Sequence, residues 1–191
     1  MFTSAYHNGG EIRALTDEPP NSGCDPCSEL MPVFEEIKLA ASLTGLFELT
    51  PSERQLTFEA RGEMDGARLS EMLRVHIDKH AAGCQMVMSS HSVDILAPGI
   101  SKVALADQIK AIIGGSAHVL CIGDKGCWPG NDYALLDEPY SLSVDEVSGS
   151  RETCWNLAPA GCVGLQATLH YLRSLSPRND GTVKFVAKVR E

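Results

Sequence analysis

A chain of 191 residues, 43% hydrophobic and 21% charged, has the length and composition of one large globular domain or two small ones. Its net charge of −9 and its lack of any long basic run argue against nucleic acid or an anionic membrane as partner. No apolar run reaches the roughly 18 residues of a spanning helix, no signal peptide is expected at the N-terminus, and seven Cys, an odd number, fit reduced thiols in the cytoplasm.

Residues 1–15 are expected to form a strand and hairpin, and 16–25 a loop rich in Pro, Asn, Ser and Gly. A helix follows over 26–42, with Leu30, Phe34, Ile37 and Ala41 on one face. In Cys24-Asp25-Pro26-Cys27 the pattern places Asp25 at the N-cap and Pro26 at the first helical position, which puts Cys27 in the first turn. A thiol there is acidified, so a redox pair or half a zinc site stands beside a purely structural role. Leu46–Leu49 and Leu56–Ala60 are expected strands around a Thr-Pro-Ser-Glu-Arg turn. Asp65-Gly66 opens a second helix over 67–81, on which His76 and His80 share a face without the Glu of a zinc-protease motif. Gln85–Met88 and Val93–Leu96 form another strand pair around Ser89-Ser90-His91. The order helix-strand-strand occurs twice, which predicts a four-stranded antiparallel sheet with both helices on one face.

Ser101 is the expected N-cap of a helix over 100–113, with Lys102 in its first turn. A cation there opposes the helix dipole, so helix stability does not explain it, whereas a phosphate site does. His118–Ile122 is an expected buried strand, followed by the loop Gly123–Asp132. A strand ending in Gly-Asp, with Asn131-Asp132 closing the loop, places two carboxylates where open α/β sheets bind ligands. Hard oxygen donors there suit Mg²⁺ beside a phosphate, and a capped acidic turn is the plainer alternative. A short helical stretch is expected over 131–138, a strand over 140–144, a loop from Gly149 to Pro159, a helix from Gly161 to Leu175 and a terminal strand or tail over 182–190. Cys84, Cys121 and Cys162 flank apolar residues and are expected to pack as small hydrophobes.

The loop Gly123-Asp124-Lys125-Gly126-Cys127-Trp128-Pro129-Gly130-Asn131-Asp132 resembles the last acidic motif of the haloacid dehalogenase (HAD) superfamily of phosphatases and phosphomutases. Its long form is most similar to that of the phosphomannomutases. Ser101-Lys102 is similar to the family's lysine motif, and Asn8-Gly9-Gly10-Glu11-Ile12 resembles a hairpin found in members with a large inserted cap. The doubled helix-strand-strand unit is similar to the αββαββ cap of the sugar-phosphate enzymes.

This resemblance implies an α/β fold, a partial HAD Rossmann-like core with an inserted α+β cap. Residues 1–20 are then a core hairpin segment, 21–98 the cap, 99–176 the C-terminal part of the core and 177–191 a terminal strand or tail. It implies a Mg²⁺-dependent phosphatase acting on a sugar phosphate or similar small metabolite. Asp124 with Asn131 and Asp132 would serve the metal, Lys102 the phosphate, and Ser89, Ser90, His91 and Asp94 the sugar hydroxyls. Lys102 and Asp124 are the expected catalytic pair. Phosphomutase-like transfer and a catalytically inactive binding or regulatory subunit are the alternatives.

The sequence departs from the family in one respect: it contains no Asp-x-Asp, the motif of the family's nucleophile. Without the strand that bears it, residues 118–122 present an unpaired edge. The chain is therefore expected to need a complementing polypeptide, to self-associate, or to be the truncated product of a longer gene.

Overall fold

The computed structural model describes residues 5–8, 11–14, 25–40, 43, 45–80, 83–114 and 118–186, with the backbone alone for 5–14 and for 80. It is a mixed α/β protein that divides into two compact units, Met1–Leu105 and Ala106–Glu191. None of the helices among the described residues is long and apolar enough to cross a membrane.

The first unit begins with an antiparallel hairpin, β1 (Ala5–Asn8) and β2 (Glu11–Ala14). Then come α1 (Met31–Leu39), β3 (Phe47–Pro51), β4 (Gln55–Ala60), α2 (Gly66–His80), β5 (Gln85–Met88) and β6 (Ser92–Leu96). The four strands after the hairpin form one antiparallel sheet in the order β3-β4-β6-β5. Alternation sends Leu56, Phe58, Val93 and Ile95 to one face, where they are fully or almost fully buried against Leu30, Val33 and Ile37 of the α1 region and Leu69, Leu73 and Ile77 of α2. Each such side chain contributes about 1.5–3 kcal/mol. The opposite face carries Gln55, Thr57, Glu59, Ser92 and Asp94. Asp65 starts α2, its Oδ1 accepting the Arg68 N–H at 2.8 Å.

The expected helix over 26–42 is shorter than its apolar pattern. Asp25 does not begin it; the Cys27 carbonyl accepts the N–H groups of Leu30 and Met31, making a turn that delays α1 until Met31, with Pro32 in its first turn. Cys27 therefore precedes the helix. Cys24 lies outside the described residues, and so does the Cys-x-x-Cys pairing.

The helix α3 (Lys102–Ile113) crosses the division between the units. Ser101 caps it as expected, its Oγ accepting the Ala104 N–H at 3.0 Å.

The second unit contains β7 (Cys121–Lys125), α4 (Tyr133–Leu136), β8 (Ser141–Glu146), α5 (Gly164–Ser174), β9 (Leu175–Pro177) and β10 (Val183–Phe185). β7 and β8 pair in parallel from Cys121↔Ser141 to Lys125↔Glu146, with an irregularity between Gly123 and Lys125. Strand β7 thus lies later than the apolar run 118–122. Leu120 is 38% exposed, and the backbone ladder, indifferent to side-chain polarity, runs on through Gly123 and Asp124. Behind β8, Leu142 and Val144 pack on Ala167 and Tyr171 of α5. In the expected terminal strand or tail, the described residues Val183–Phe185 form β10, which makes an antiparallel hairpin with β9, a strand absent from the expected elements; residues 187–190 lie outside the described residues.

Candidate functional site

The loop between β7 and α4 is built around one carboxylate. Asp132 is 4% exposed, and its Oδ2 accepts the backbone N–H of Asp124 at 2.8 Å and of Lys125 at 3.4 Å. The loop closes further through Gly130 N–H to the Cys127 carbonyl at 2.6 Å and Leu136 N–H to the Asp132 carbonyl at 2.8 Å. Its glycines are required by space. A Cβ on Gly123 would stand 2.4 Å from Asp132 Oδ2, and one on Gly130 would stand 2.4 Å from the Lys125 carbonyl oxygen.

Asp124, at the carboxyl-terminal end of β7, is brought beside Asp132. Desolvation, the hydrogen bond with Asp132 and that residue's negative charge, in that order, raise the Asp124 carboxyl above its usual range. Two carboxylates held together in partial burial are in electrostatic conflict, which a cation relieves. Asn131 adds a third oxygen: its Oδ1 is buried and has no hydrogen-bond partner among the described residues. Those residues include no group of three or more His, Cys, Asp or Glu side chains able to hold a metal. This donor set falls short of an all-protein cage. It fits Mg²⁺, which takes one or two carboxylates and fills its remaining positions with water or phosphate oxygens.

Next to the pair, Lys125 Nζ lies 2.5 Å from Glu146 Oε1, a contact that raises the Lys125 ammonium and joins the ends of β7 and β8. Neither residue's role was evident from the sequence, because only the parallel register makes them neighbours.

The other expected site residues belong to the first unit. Lys102 is the first residue of α3, and its charge is felt by Asp94. Ser89 is occupied by the β5–β6 turn: its Oγ accepts the N–H groups of His91 and Ser92 at 3.2 and 3.0 Å and lies 2.9 Å from Ser92 Oγ. Ser90 and His91 are exposed at the tip. On the sheet face opposite α1 and α2, Gln55 Nε2 donates to Thr57 Oγ1 at 2.9 Å, with Asp94 across from Thr57, a grouping visible in the sequence only as strand alternation.

No family model matches the chain, and no curated protein matches it. Solved structures similar to parts of it include the N-terminally truncated IMP-nucleotidase of Plasmodium falciparum, at 15% identity and a TM-score of 0.43, over 63% of this chain and 35% of that one. Two crystal forms of trehalose-6-phosphate phosphatase from Aspergillus fumigatus are similar at 17% and 16% identity, each with a TM-score of 0.42, over 75% and 76% of this chain. The chain spans 56% and 57% of the length of those two structures.

Proposed function

We propose that this chain supplies the magnesium loop and the cap of a HAD-type phosphohydrolase acting on a small phosphorylated metabolite. The observation that carries this reading is the pairing of Asp124 with Asp132 at the carboxyl end of a parallel strand, with the orphaned Asn131 oxygen in the same loop. In this reading Asp124 holds the metal, Asp132 fixes the loop that presents Asp124, and Asn131 orients water at the metal. Bound Mg²⁺ would supply charge neutralisation to phosphate oxygens. Lys102, at the start of α3, is the residue that the family resemblance assigns to phosphate. The sequence holds no Asp-x-Asp, so the nucleophilic carboxylate comes from another polypeptide segment.

That same absence favours a second reading, a binding or regulatory subunit that retains the metal loop without turnover. Phosphomutase-like transfer rests on the loop's long form alone.

Calorimetric titration with Mg²⁺ tests the metal loop. The wild-type chain is expected to bind, and Asp124→Asn to bind at least about tenfold more weakly, since one hard anionic ligand is lost. Equal affinities would remove the loop from the reading.

A further inference from the structure

The loop that presents Asp124 also carries two aromatic rings that its clamp does not use. Gly130 N–H donates to the Cys127 carbonyl at 2.6 Å, which closes a four-residue turn with Trp128 and Pro129 at its tip. The turn lies folded against the end of β7, since a Cβ on Gly130 would stand 2.8 Å from Lys125 Cβ. Tyr133 N–H donates to the Gly130 carbonyl at 3.1 Å, and Tyr133 directly follows Asp132, whose carboxylate holds the Asp124 amide. Both rings are thus tied through the main chain to the segment that presents Asp124. They meet edge to face, with centroids 5.6 Å apart and planes at 77°. Trp128 is 65% exposed and Tyr133 38%, so the pair makes an open corner and is not part of a core.

The chemistry of this corner selects its occupant. A bare anion does not suit it: Asp124 and Asp132 repel one, and Lys125, the cation of the loop, is engaged by Glu146. A quaternary ammonium is best held by a cage closed on several sides, and this corner has two walls. A protein surface suits it less still. Two aromatic residues supply about 300–500 Å² even when fully buried, against the roughly 800 Å² that each partner gives to a stable interface. A neutral flat ring fits, stacked on one wall and in edge contact with the other.

We propose that Trp128 and Tyr133 form a stacking platform for a neutral aromatic ring, a nucleobase or a simple aryl group, on the phosphorylated metabolite. The inference rests on the phosphohydrolase reading for the phosphate part alone.

Saturation-transfer difference NMR on the full chain tests it without magnesium, with adenosine and benzyl alcohol as neutral ring probes, ribose as the ringless control and choline as the cation. Wild type should transfer saturation to the ring protons of adenosine or benzyl alcohol and not to ribose, the stronger signal identifying the kind of ring. Trp128→Leu, shown to be folded by a cooperative melt, should weaken binding of that probe about fivefold or more, the effect of removing a stacking ring. If that variant does not fold, Tyr133→Leu decides in its place and should also weaken binding. A folded Trp155→Leu, altered at the other tryptophan, should bind as wild type does. The phosphate monoester of the probe that binds is then titrated in the presence of Mg²⁺. Tighter binding than the neutral probe supports the platform and the metal loop together; binding no tighter leaves the platform standing and ends the metal-loop reading. No transfer from wild type to either ring probe would overturn the proposal, and so would transfer to choline in their place. Equal binding by wild type and the folded Trp128 or Tyr133 variant would overturn it as well, as would an equal loss in Trp155→Leu.

Discussion

Asp132 reaches back across its loop so that its Oδ2 accepts the backbone N–H of Asp124 at 2.8 Å, while the Asp124 carboxylate stands beside its own. The residue that shapes the loop also crowds negative charge at its mouth.

Gly123→Ala should break this arrangement. The new Cβ would lie 2.4 Å from Asp132 Oδ2 and 2.8 Å from its Cβ, and Asp132 is too buried to yield. A loss of about 1–3 kcal/mol in urea unfolding is expected, the usual cost of overpacking, together with weaker Mg²⁺ binding. Gly149→Ala is the control: a Cβ there meets nothing within 4 Å, so its stability should stay within about 0.5 kcal/mol of wild type. Equal effects at the two positions would contradict the close approach.

Tyr171→Phe tests how the second unit is tied together. The buried hydroxyl donates to the Ser143 carbonyl at 2.7 Å, with Asn156 Oδ1 a second acceptor at 3.1 Å, and accepts the Leu157 N–H at 2.9 Å. Burial raises the phenol above its ordinary value, so it stays protonated and able to donate. Removing it leaves a carbonyl on β8 and an amide in the following loop unpaired, at a cost of about 1–3 kcal/mol. Chemical denaturation followed by tryptophan fluorescence would read this, because the Trp155 carbonyl accepts the N–H of Ser143, whose carbonyl loses its bond, at 2.9 Å. An unchanged midpoint would show that water replaces the hydroxyl at no cost.

Asp94 predicts a pH dependence of stability. Desolvation, outweighing the bonds from Thr57 and Gln55, raises its carboxyl above the ordinary 3.8, so the folded state binds the proton more tightly than the unfolded state. The stabilisation is complete below the unfolded value and is lost as pH climbs through the raised folded value. Asparagine has no such proton. The melting temperature of Asp94→Asn relative to wild type should therefore rise from about pH 4 upward and level off once pH has passed the raised folded value. Parallel melting curves across that range would argue against a desolvated carboxyl.

The chain alone should hydrolyse 4-nitrophenyl phosphate negligibly in the presence of Mg²⁺, since no Asp-x-Asp is present to form a covalent intermediate. Turnover by the purified chain that disappears in Asp124→Asn would reveal a nucleophile of another kind.

In solution the chain is expected to associate. Among the described residues β7 pairs with β8 alone, and α5 exposes Leu165, Leu169 and Leu172 at 75%, 39% and 52% along one stripe. Light scattering should give a mass above that of one 20.6 kDa chain, and a Leu165→Glu, Leu172→Glu double variant should lower it. A monomer in both cases would show that neither surface is adhesive.

The sequence was most informative where one local rule governed. Ser101 and Asp65 begin their helices because a short oxygen-bearing side chain can cap them, and period-two alternation placed Leu56, Phe58, Val93 and Ile95 on a common face. It misled where two signals competed. Asp25-Pro26 marks a helix start, but the turn closed by the Cys27 carbonyl delays α1 until Met31. At β7 the apolar residues ended before the strand did, because the ladder to β8 is made of backbone. The burial of Asp94 and the crowding at Gly123 were not legible, since both depend on what neighbouring strands and loops bring into contact.

The loop's clamp also separates shape from charge. Its donors are main-chain amides, which any residue but proline at positions 124 and 125 leaves in place, and its acceptor is Asp132. Substitution at 124 can erase the negative charge presented at the strand end while the loop keeps its outline, whereas changes at 132 or 123 collapse both. A lineage carrying this loop could thus abandon its chemistry without disturbing its architecture. An intact outline would be a poor witness to cation binding, and the side chain at position 124 a better one.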